Sequence, residues 1–139
     1  MNKNKILGML ILGGLMMPGL VLAGSNDASG MKPYSLNRDL NAKHTPVISA
    51  PDTVKAGEPF EVTIKVGAKQ HPSLVEHHVE WIQLYADETL IAHVQLTPSM
   101  TLPNIKLTVM LEHSADLKVV EAPNHSSGWV SKAKHIVVK

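Results

Sequence analysis

Histidine is the residue type in this chain that is best suited to chemistry. The 139 residues include eight histidines and no cysteine. Three of the histidines, His71, His77 and His78, fall within the short segment HPSLVEHH. Imidazole is the commonest metal ligand in proteins, and without cysteine a metal must rely on histidine, carboxylate or thioether ligands. The segment is therefore either part of a metal site or a polar loop that is rich in histidine.

Spacing alone leaves both interpretations open. His77 and His78 are neighbours, and neighbouring side chains of a strand point to opposite faces, so the two can hardly serve one metal. His71 and His77 are separated by a stretch that contains Pro72, and a loop there could bring their rings together. His44 is distant in sequence, yet loops from different strands gather at one end of a β-sandwich. For any single histidine, a solvated loop position is the usual case.

Other polar side chains near the histidines offer supporting roles. Glu76 and Glu80 flank the histidine pair and could orient an imidazole by hydrogen bonding, as carboxylates do at metal sites. Met100 lies in a loop and could add a thioether, although an isolated methionine more often serves packing. We find no Ser-His-Asp order and no paired-carboxylate motif that would indicate hydrolytic chemistry.

The elements that must position these residues are predicted to be strands. Two segments, 61–66 and 105–111, alternate between apolar and polar residues, which is typical of a half-buried strand. Two β-rich segments, 79–85 and 90–96, are separated by a predicted hairpin turn at 86–89. Shorter strands are predicted at 47–48, 117–120 and 135–138. We therefore predict an all-β fold, a seven-stranded immunoglobulin-like sandwich or barrel.

The N-terminus resembles a targeting segment. Lys3 and Lys5 precede an uncharged stretch, 6–23, which ends in Val-Leu-Ala before Gly24, as at a signal peptidase site. The stretch is long enough for a membrane anchor, but glycines and Pro18 interrupt it, which favours cleavage. We predict a signal peptide at 1–23, a flexible lead-in at 24–41 and one domain at 42–139. The mature protein would be exported, to the periplasm or another extracytoplasmic space, with no membrane attachment.

The charge and composition of the chain argue against nucleic acids as partners. Removing Lys3 and Lys5 with the leader leaves 11 Lys and Arg against 12 Asp and Glu, a net charge of −1. Aromatic residues are few and no basic stripe is present, so nucleic-acid binding has no support. The sequence leaves open whether the protein forms a homo-oligomer.

Three segments, AKHTP, KAGEPFEV and HPSLVEHHVEWI, resemble the superoxide reductase family, which comprises the neelaredoxins and the iron-site domain of the desulfoferrodoxins. That family carries E-K-H-x-P, K-A-G-E-x-F-x-V and H-P-x-x-x-x-H-H-I-x-W-I motifs in the same order. The resemblance extends from residue 42 to residue 129.

The resemblance implies a fold, a metal and a reaction. The family is a seven-stranded immunoglobulin-like barrel with one non-haem iron, four histidines in a plane around it and a cysteine sulfur below. It reduces superoxide to hydrogen peroxide with electrons from a donor. By motif, His44, His71 and His77 match three of the histidine ligands. Lys43 matches the lysine that draws in the anion, a suitable role for an ammonium group.

The last family motif, C-N-x-H-G-x-W, is only partly present. This chain has PNHSSGW, in which Pro123 takes the place of the cysteine and Ser126 that of the fourth histidine. His125 lies one residue early and is our candidate for the fourth ligand. Ala42 stands where the family has a glutamate that caps the metal.

Because the thiolate is missing, more than one function is compatible with the sequence. Without sulfur donation the centre would have a different redox potential, which makes efficient superoxide reduction doubtful. An all-histidine site also suits Cu(II) and other divalent ions, and raw affinity favours copper. The alternative is therefore a copper or divalent-metal protein for storage, delivery or electron transfer. A third interpretation is an interaction domain in which the site has been lost.

Overall fold

The computed structural model describes residues 36–72 and 74–139, and every regular element in them is a β-strand. The nine strands are β1 Pro46–Ser49, β2 Thr53–Val54, β3 Phe60–Val66, β4 Val79–Ala86, β5 Thr89–Gln95, β6 Asn104–Val109, β7 Ala115–Pro123, β8 Trp129–Val130 and β9 Lys134–Val138. The predicted signal peptide and residues 24–35 of the predicted lead-in lie outside the described residues. Within the described part, no helix is long and apolar enough to span a membrane.

The strands form two sheets. The smaller has the order β1-β3-β6, and the larger has the order β2-β9-β7-β4-β5, with β8 paired to β7. The prediction of an all-β fold is confirmed. Over residues 36–72 and 74–139 the two sheets do not close into a barrel, and nine strands are present where seven were predicted. The two unpredicted strands, β2 and β8, have two residues each, which is too short for alternation to be detected.

The core lies between the two sheets. In β3, the alternating residues Val62, Ile64 and Val66 are fully buried, and they belong to one cluster with Ile82 of β4 and Leu117 of β7. A second, smaller cluster consists of Trp81, Val120, Ala122 and Val130. Alternation thus buries one side of β3 against the larger sheet, because a half-buried strand places successive side chains on opposite faces.

Strand pairing brings the histidine-bearing loops to one end of the sandwich. The start of β1 lies beside the end of β3, with Pro46 opposite Val66. In the larger sheet, the start of β4 lies beside the end of β7, with Val79 opposite Pro123. The loop that precedes β1, the single loop that joins β3 to β4 and the segment that follows β7 therefore share an end, and each of the three carries at least one histidine.

Candidate metal centre

Four imidazole rings meet at this end of the sandwich. The ring centroid of His44 lies 4.6 Å from that of His71, and His71 lies 5.9 Å from His77. His77 lies 3.7 Å from His125, and His125 lies 6.0 Å from His44. The four rings form a closed circuit, so the structure brings together all four histidines that the sequence singled out as metal ligands. We call this group the four-histidine cluster.

His44 is held from three sides. A turn closed by Asn41 precedes β1, in which the carbonyl of Asn41 accepts from the N–H of His44 at 3.1 Å. The Nδ1 atom of His44 lies 3.0 Å from Oε1 of Glu121, and both side chains are buried. The indole of Trp129 stacks on the imidazole with a centroid distance of 4.0 Å and an angle of 11°. If Nδ1 donates to the carboxylate, Nε2 is left with the lone pair that a metal requires.

The partners of His44 come from one cross-strand pair. Glu121 of β7 lies opposite Trp129 of β8, and opposed residues of an antiparallel pair project from the same face. A Cβ atom on Gly128 would lie 2.6 Å from the carbonyl oxygen of Glu121, so glycine at this position allows the chain entering β8 to approach β7. The short strand β8 thus places the indole and the carboxylate against one histidine.

His71 is buried, with 3 % of its surface exposed, and its backbone is fixed by Thr101. The N–H of His71 donates to the carbonyl of Thr101 at 2.8 Å, and the Thr101 hydroxyl donates to the carbonyl of His71. In the described part of the chain neither ring nitrogen of His71 has a hydrogen-bond partner. Burial, together with the positive charges of the other three histidines and Lys43, lowers the pKa of His71 to about 4. The ring is therefore neutral at pH 7, which is the form that binds a metal.

His77 and His125 form a stacked pair with an angle of 29° between their rings. His77 follows a tight turn in which its N–H donates to the carbonyl of Leu74 at 3.1 Å. His125 is exposed and lies just beyond β7. Burial is the main cause that lowers the pKa of His125, and the neighbouring His77 and His44 add to it. His125 thus reaches the cluster although it is one residue out of register with the family motif.

Lys43 lies beside the cluster on the loop that carries His44. Its side chain is exposed, and its charge is among the causes that lower the pKa of His71. Gly67, at the end of β3 with φ of 66°, lies directly under this loop. A Cβ atom on Gly67 would lie 2.2 Å from the carbonyl oxygen of Lys43. Only glycine fits at that position, because any side chain would displace the loop.

The carboxylate that orients a histidine is not one of those predicted. Glu76 is exposed, and in the described residues no hydrogen bond joins the Glu76 or Glu80 side chain to a histidine; that role belongs to Glu121. Glu121 is fully buried, its Oε2 atom has no hydrogen-bond partner among the described residues, and burial raises its pKa. The sequence carried a signal for it, because a glutamate within the apolar stretch VVEAP needs a partner if the strand is buried.

The remaining histidines have other surroundings. His78 lies near the cluster, and its Nδ1 atom is 3.1 Å from the carbonyl oxygen of Leu74. His93 faces Gln83 on the β4–β5 hairpin, with 3.4 Å between their nitrogens. His135 pairs with Asp116 at 2.7 Å. That His78 does not share the ligand role of its neighbour stays a prediction.

The side chains of the four-histidine cluster are chemically suited to bind a metal ion. The two buried nitrogens of His71 lack hydrogen-bond partners within the part of the chain that the structure describes. An unpaired buried polar atom costs about 1–3 kcal/mol, which a bond to a metal would offset. His44 has the carboxylate partner that metal-binding histidines usually have. Among residues 36–72 and 74–139, however, no group of three or more His, Asp or Glu side chains has the geometry needed to hold a metal ion. The stacked His77 and His125 rings must rotate for their nitrogens to aim at a common point.

Comparison with known proteins decides the family. The desulfoferrodoxin family model matches residues 37–132. The chain belongs to the desulfoferrodoxin family. A candidate superoxide reductase of Methanocaldococcus jannaschii is 42 % identical over 80 residues, which cover 58 % of this chain and 67 % of that protein. The family resemblance seen in the three sequence motifs is thus confirmed.

Solved structures of the family share the fold. A superoxide reductase (neelaredoxin) of Ignicoccus hospitalis has a TM-score of 0.61 at 32 % identity, over 69 % of this chain and 81 % of that one. A superoxide reductase of Nanoarchaeum equitans has a TM-score of 0.62 at 26 % identity, over 73 % of this chain and 99 % of that one. Membership of the desulfoferrodoxin family implies a mononuclear iron site, superoxide as substrate and an external electron donor.

Three positions set this family member apart. Pro123, in the place of the axial cysteine, is buried as the last residue of β7. Ala42, in the place of the capping glutamate, is exposed and offers no donor atom in its side chain. Ser126, in the place of the fourth histidine, is exposed, whereas the ring of His125 lies in the cluster. The family's cysteine and glutamate are thus replaced by residues without a donor side chain, whereas four imidazoles are still present.

Proposed function

We propose that the protein reduces superoxide to hydrogen peroxide at one iron ion held by His44, His71, His77 and His125. The observation that carries the proposal is the closed circuit of four imidazoles, one of which, His71, has buried ring nitrogens without hydrogen-bond partners among the described residues. Superoxide takes up one electron and two protons to give hydrogen peroxide. Iron held by the four histidines would supply the electron when it is in the ferrous state, with an external donor to reduce it again and water as the source of the protons.

The chain's own residues contribute charge and orientation. Lys43 is an exposed cation beside the cluster, and a positive charge at a small site raises the local concentration of an anionic substrate. Glu121 and Trp129 fix the His44 ring, and Thr101 fixes the backbone of His71. The buried Pro123 supplies no donor atom, so the imidazoles alone set the electron density at the metal. We therefore expect slower turnover than in relatives that keep a thiolate.

The test uses the iron-loaded protein with a steady flux of superoxide and an excess of reductant. A reductase forms hydrogen peroxide without releasing dioxygen, which separates it from a dismutase. Lys43→Ala should lower the rate and weaken its dependence on ionic strength, whereas Lys69→Ala, which removes another exposed lysine, should not. Failure of the iron-loaded protein to consume superoxide would refute the proposal. The oxidised iron form should also lack a sulfur-to-iron charge-transfer band, since the chain has no cysteine.

A second candidate function is binding of copper or another divalent ion for storage, delivery or electron transfer. Pro123 in place of the cysteine favours it, because a site with only imidazole donors no longer discriminates for iron and raw affinity favours Cu(II). Metal analysis of protein isolated from its own compartment separates the two functions. Stoichiometric copper with negligible superoxide consumption supports the second. Retention of metal after alanine replacement of His44, His71 and His77 would contradict both.

Export stands as a further proposal. It rests on the uncharged stretch at 6–23 and its Val-Leu-Ala ending. N-terminal sequencing of the mature protein tests it, with Gly24 as the expected first residue. An intact N-terminus would contradict cleavage.

A further inference from the structure

Asn124 connects the two loops that carry His77 and His125. Its Nδ2 atom donates to the carbonyl of Val75 at 2.7 Å, and its Oδ1 atom accepts from the N–H of His78 at 3.0 Å. The backbone N–H of Asn124 also donates to the carbonyl of His78 at 3.1 Å. Asn124 thus makes three hydrogen bonds to the segment that surrounds His77.

The orientation of the Asn124 amide follows from these partners. Val75 offers a carbonyl, which can only accept, and His78 offers an N–H, which can only donate, so Nδ2 must face Val75 and Oδ1 must face His78. The same Oδ1 atom lies 3.4 Å from Nδ1 of the His125 ring. If Nδ1–H of His125 points at this oxygen, Nε2 carries the lone pair that is available to a metal.

This connection matters because of the proline at the end of β7. Pro123 offers neither a side-chain donor nor an N–H, so no bond from residue 123 to a metal can fix the segment that follows. His125 is exposed, and burial therefore contributes little to holding its ring. The amide of Asn124 ties this segment to the His77 loop, next to the point where the two rings stack at 3.7 Å.

We propose that Asn124 is a positioning residue that keeps the segment of His125 beside the His77 loop and presents Nε2 of its imidazole, so that His125 acts as the fourth ligand. The proposal rests on the metal-binding part of the proposed function and not on superoxide reduction. Loss of an outer partner of a metal ligand typically lowers metal affinity 10–100-fold. We expect a loss in this range for Asn124→Ala.

The experiment uses Cu(II) as the probe and the full chain. Cu(II) affinity is measured by competition with a chelator, and paramagnetic resonance reports the number of equatorial nitrogen donors. The variants are Asn124→Ala, His125→Ala and the double variant, with Asn104→Ala as a control that removes an exposed amide at the start of β6. Unfolding of each metal-free variant in denaturant measures stability separately.

We expect four nitrogen donors in the wild type and the Asn104→Ala control, and three in the other variants. If Asn124 acts through His125, the double variant binds Cu(II) no more weakly than His125→Ala alone. Additive losses of affinity would overturn the proposal, since a purely structural role lowers affinity whether or not His125 is present. If Asn124→Ala does not fold, Asn124→Ser, which can still accept from the N–H of His78, is compared with His125→Ala in the same way.

The outcomes distinguish this inference from the proposed reaction. A wild type with four nitrogen donors that does not consume superoxide would refute the reaction and leave the role of Asn124 standing. A wild type with three nitrogen donors would refute the role of His125 and Asn124, whatever its activity.

Discussion

Replacement of Glu121 by glutamine should change metal affinity and stability in opposite directions. The carboxylate is fully buried, with one oxygen 3.0 Å from Nδ1 of His44 and the other without a partner among the described residues. The amide keeps an oxygen for the hydrogen bond and removes the negative charge that increases the basicity of the His44 ring. We expect metal affinity to fall 10–100-fold, which corresponds to about 1.4–2.7 kcal/mol.

The metal-free protein should gain stability from the same change. An unpaired charged oxygen costs more to bury than a neutral amide, and burial raises the pKa of Glu121 above its ordinary value. An acid whose folded pKa is raised favours the folded state below its unfolded pKa, and this contribution is lost as the pH rises through the folded pKa. At pH 7 we expect Glu121→Gln to increase the free energy of unfolding by about 1 kcal/mol.

The assay pairs a chelator-competition titration with unfolding in denaturant, followed by tryptophan fluorescence with chelator present. Glu76→Gln is the matched control, because Glu76 is an exposed carboxylate next to His77 in sequence. It should change neither quantity. Metal affinity for Glu121→Gln within threefold of the wild type would show that the carboxylate does not act on His44. A loss of stability in the metal-free variant would show that the buried charge is better satisfied than the structure indicates.

Three further predictions concern the loop packing, the indole and the pH dependence. Gly67→Ala should destabilise the protein by more than 2 kcal/mol, whereas Gly57→Ala should cost about 1 kcal/mol. The two φ angles are similar (66° and 70°), but of these two glycines only Gly67 lies against backbone atoms. Unfolding in denaturant compares the two variants. Binding of Cu(II) should quench the fluorescence of Trp129, which stacks on His44, and Trp129→Phe should abolish most of the quenching. In the metal-free protein the pKa of His71 is lowered from 6.5 to about 4, so the unfolded chain binds a proton that the folded protein does not. Stability should therefore fall as the pH drops from 6.5 toward 4, and His71→Leu should flatten this slope in thermal unfolding; an unchanged slope would contradict the assignment.

Sequence patterns predicted the strands that have strong alternation. The segment 61–66 became β3 almost without change, because its apolar residues at every second position dictate which face is buried. The hairpin turn at 86–89 also lies where it was predicted, between β4 and β5. The strand β8 was missed, since two residues show no period, and it exists because Trp129 and Val130 pair with a long neighbour.

The members of the four-histidine cluster were predictable from the sequence, and the residues that support them were not. His44, His71 and His77 followed from the resemblance of motifs, and His125 followed from its place one residue before the expected position. The roles of Glu121, Trp129 and Asn124 depend on which strands pair and in which register. Glu121 meets His44 across 77 positions of sequence, and no local spacing encodes such a contact. Sequence therefore identifies the donors, and tertiary structure selects the residues that orient them.

The four histidines come from three segments that are far apart in sequence, and this has a consequence for folding. The unfolded chain has no cross-links, because it contains no cysteine. A metal bound by all four rings would join the loop before β1, the loop between β3 and β4 and the segment after β7. The same ion that serves the chemistry would then stabilise the fold, because it binds the folded protein and is released when the chain unfolds. Resistance to heat should accordingly report metal occupancy, so that chelation would weaken the whole sandwich and not merely the end that carries the histidines.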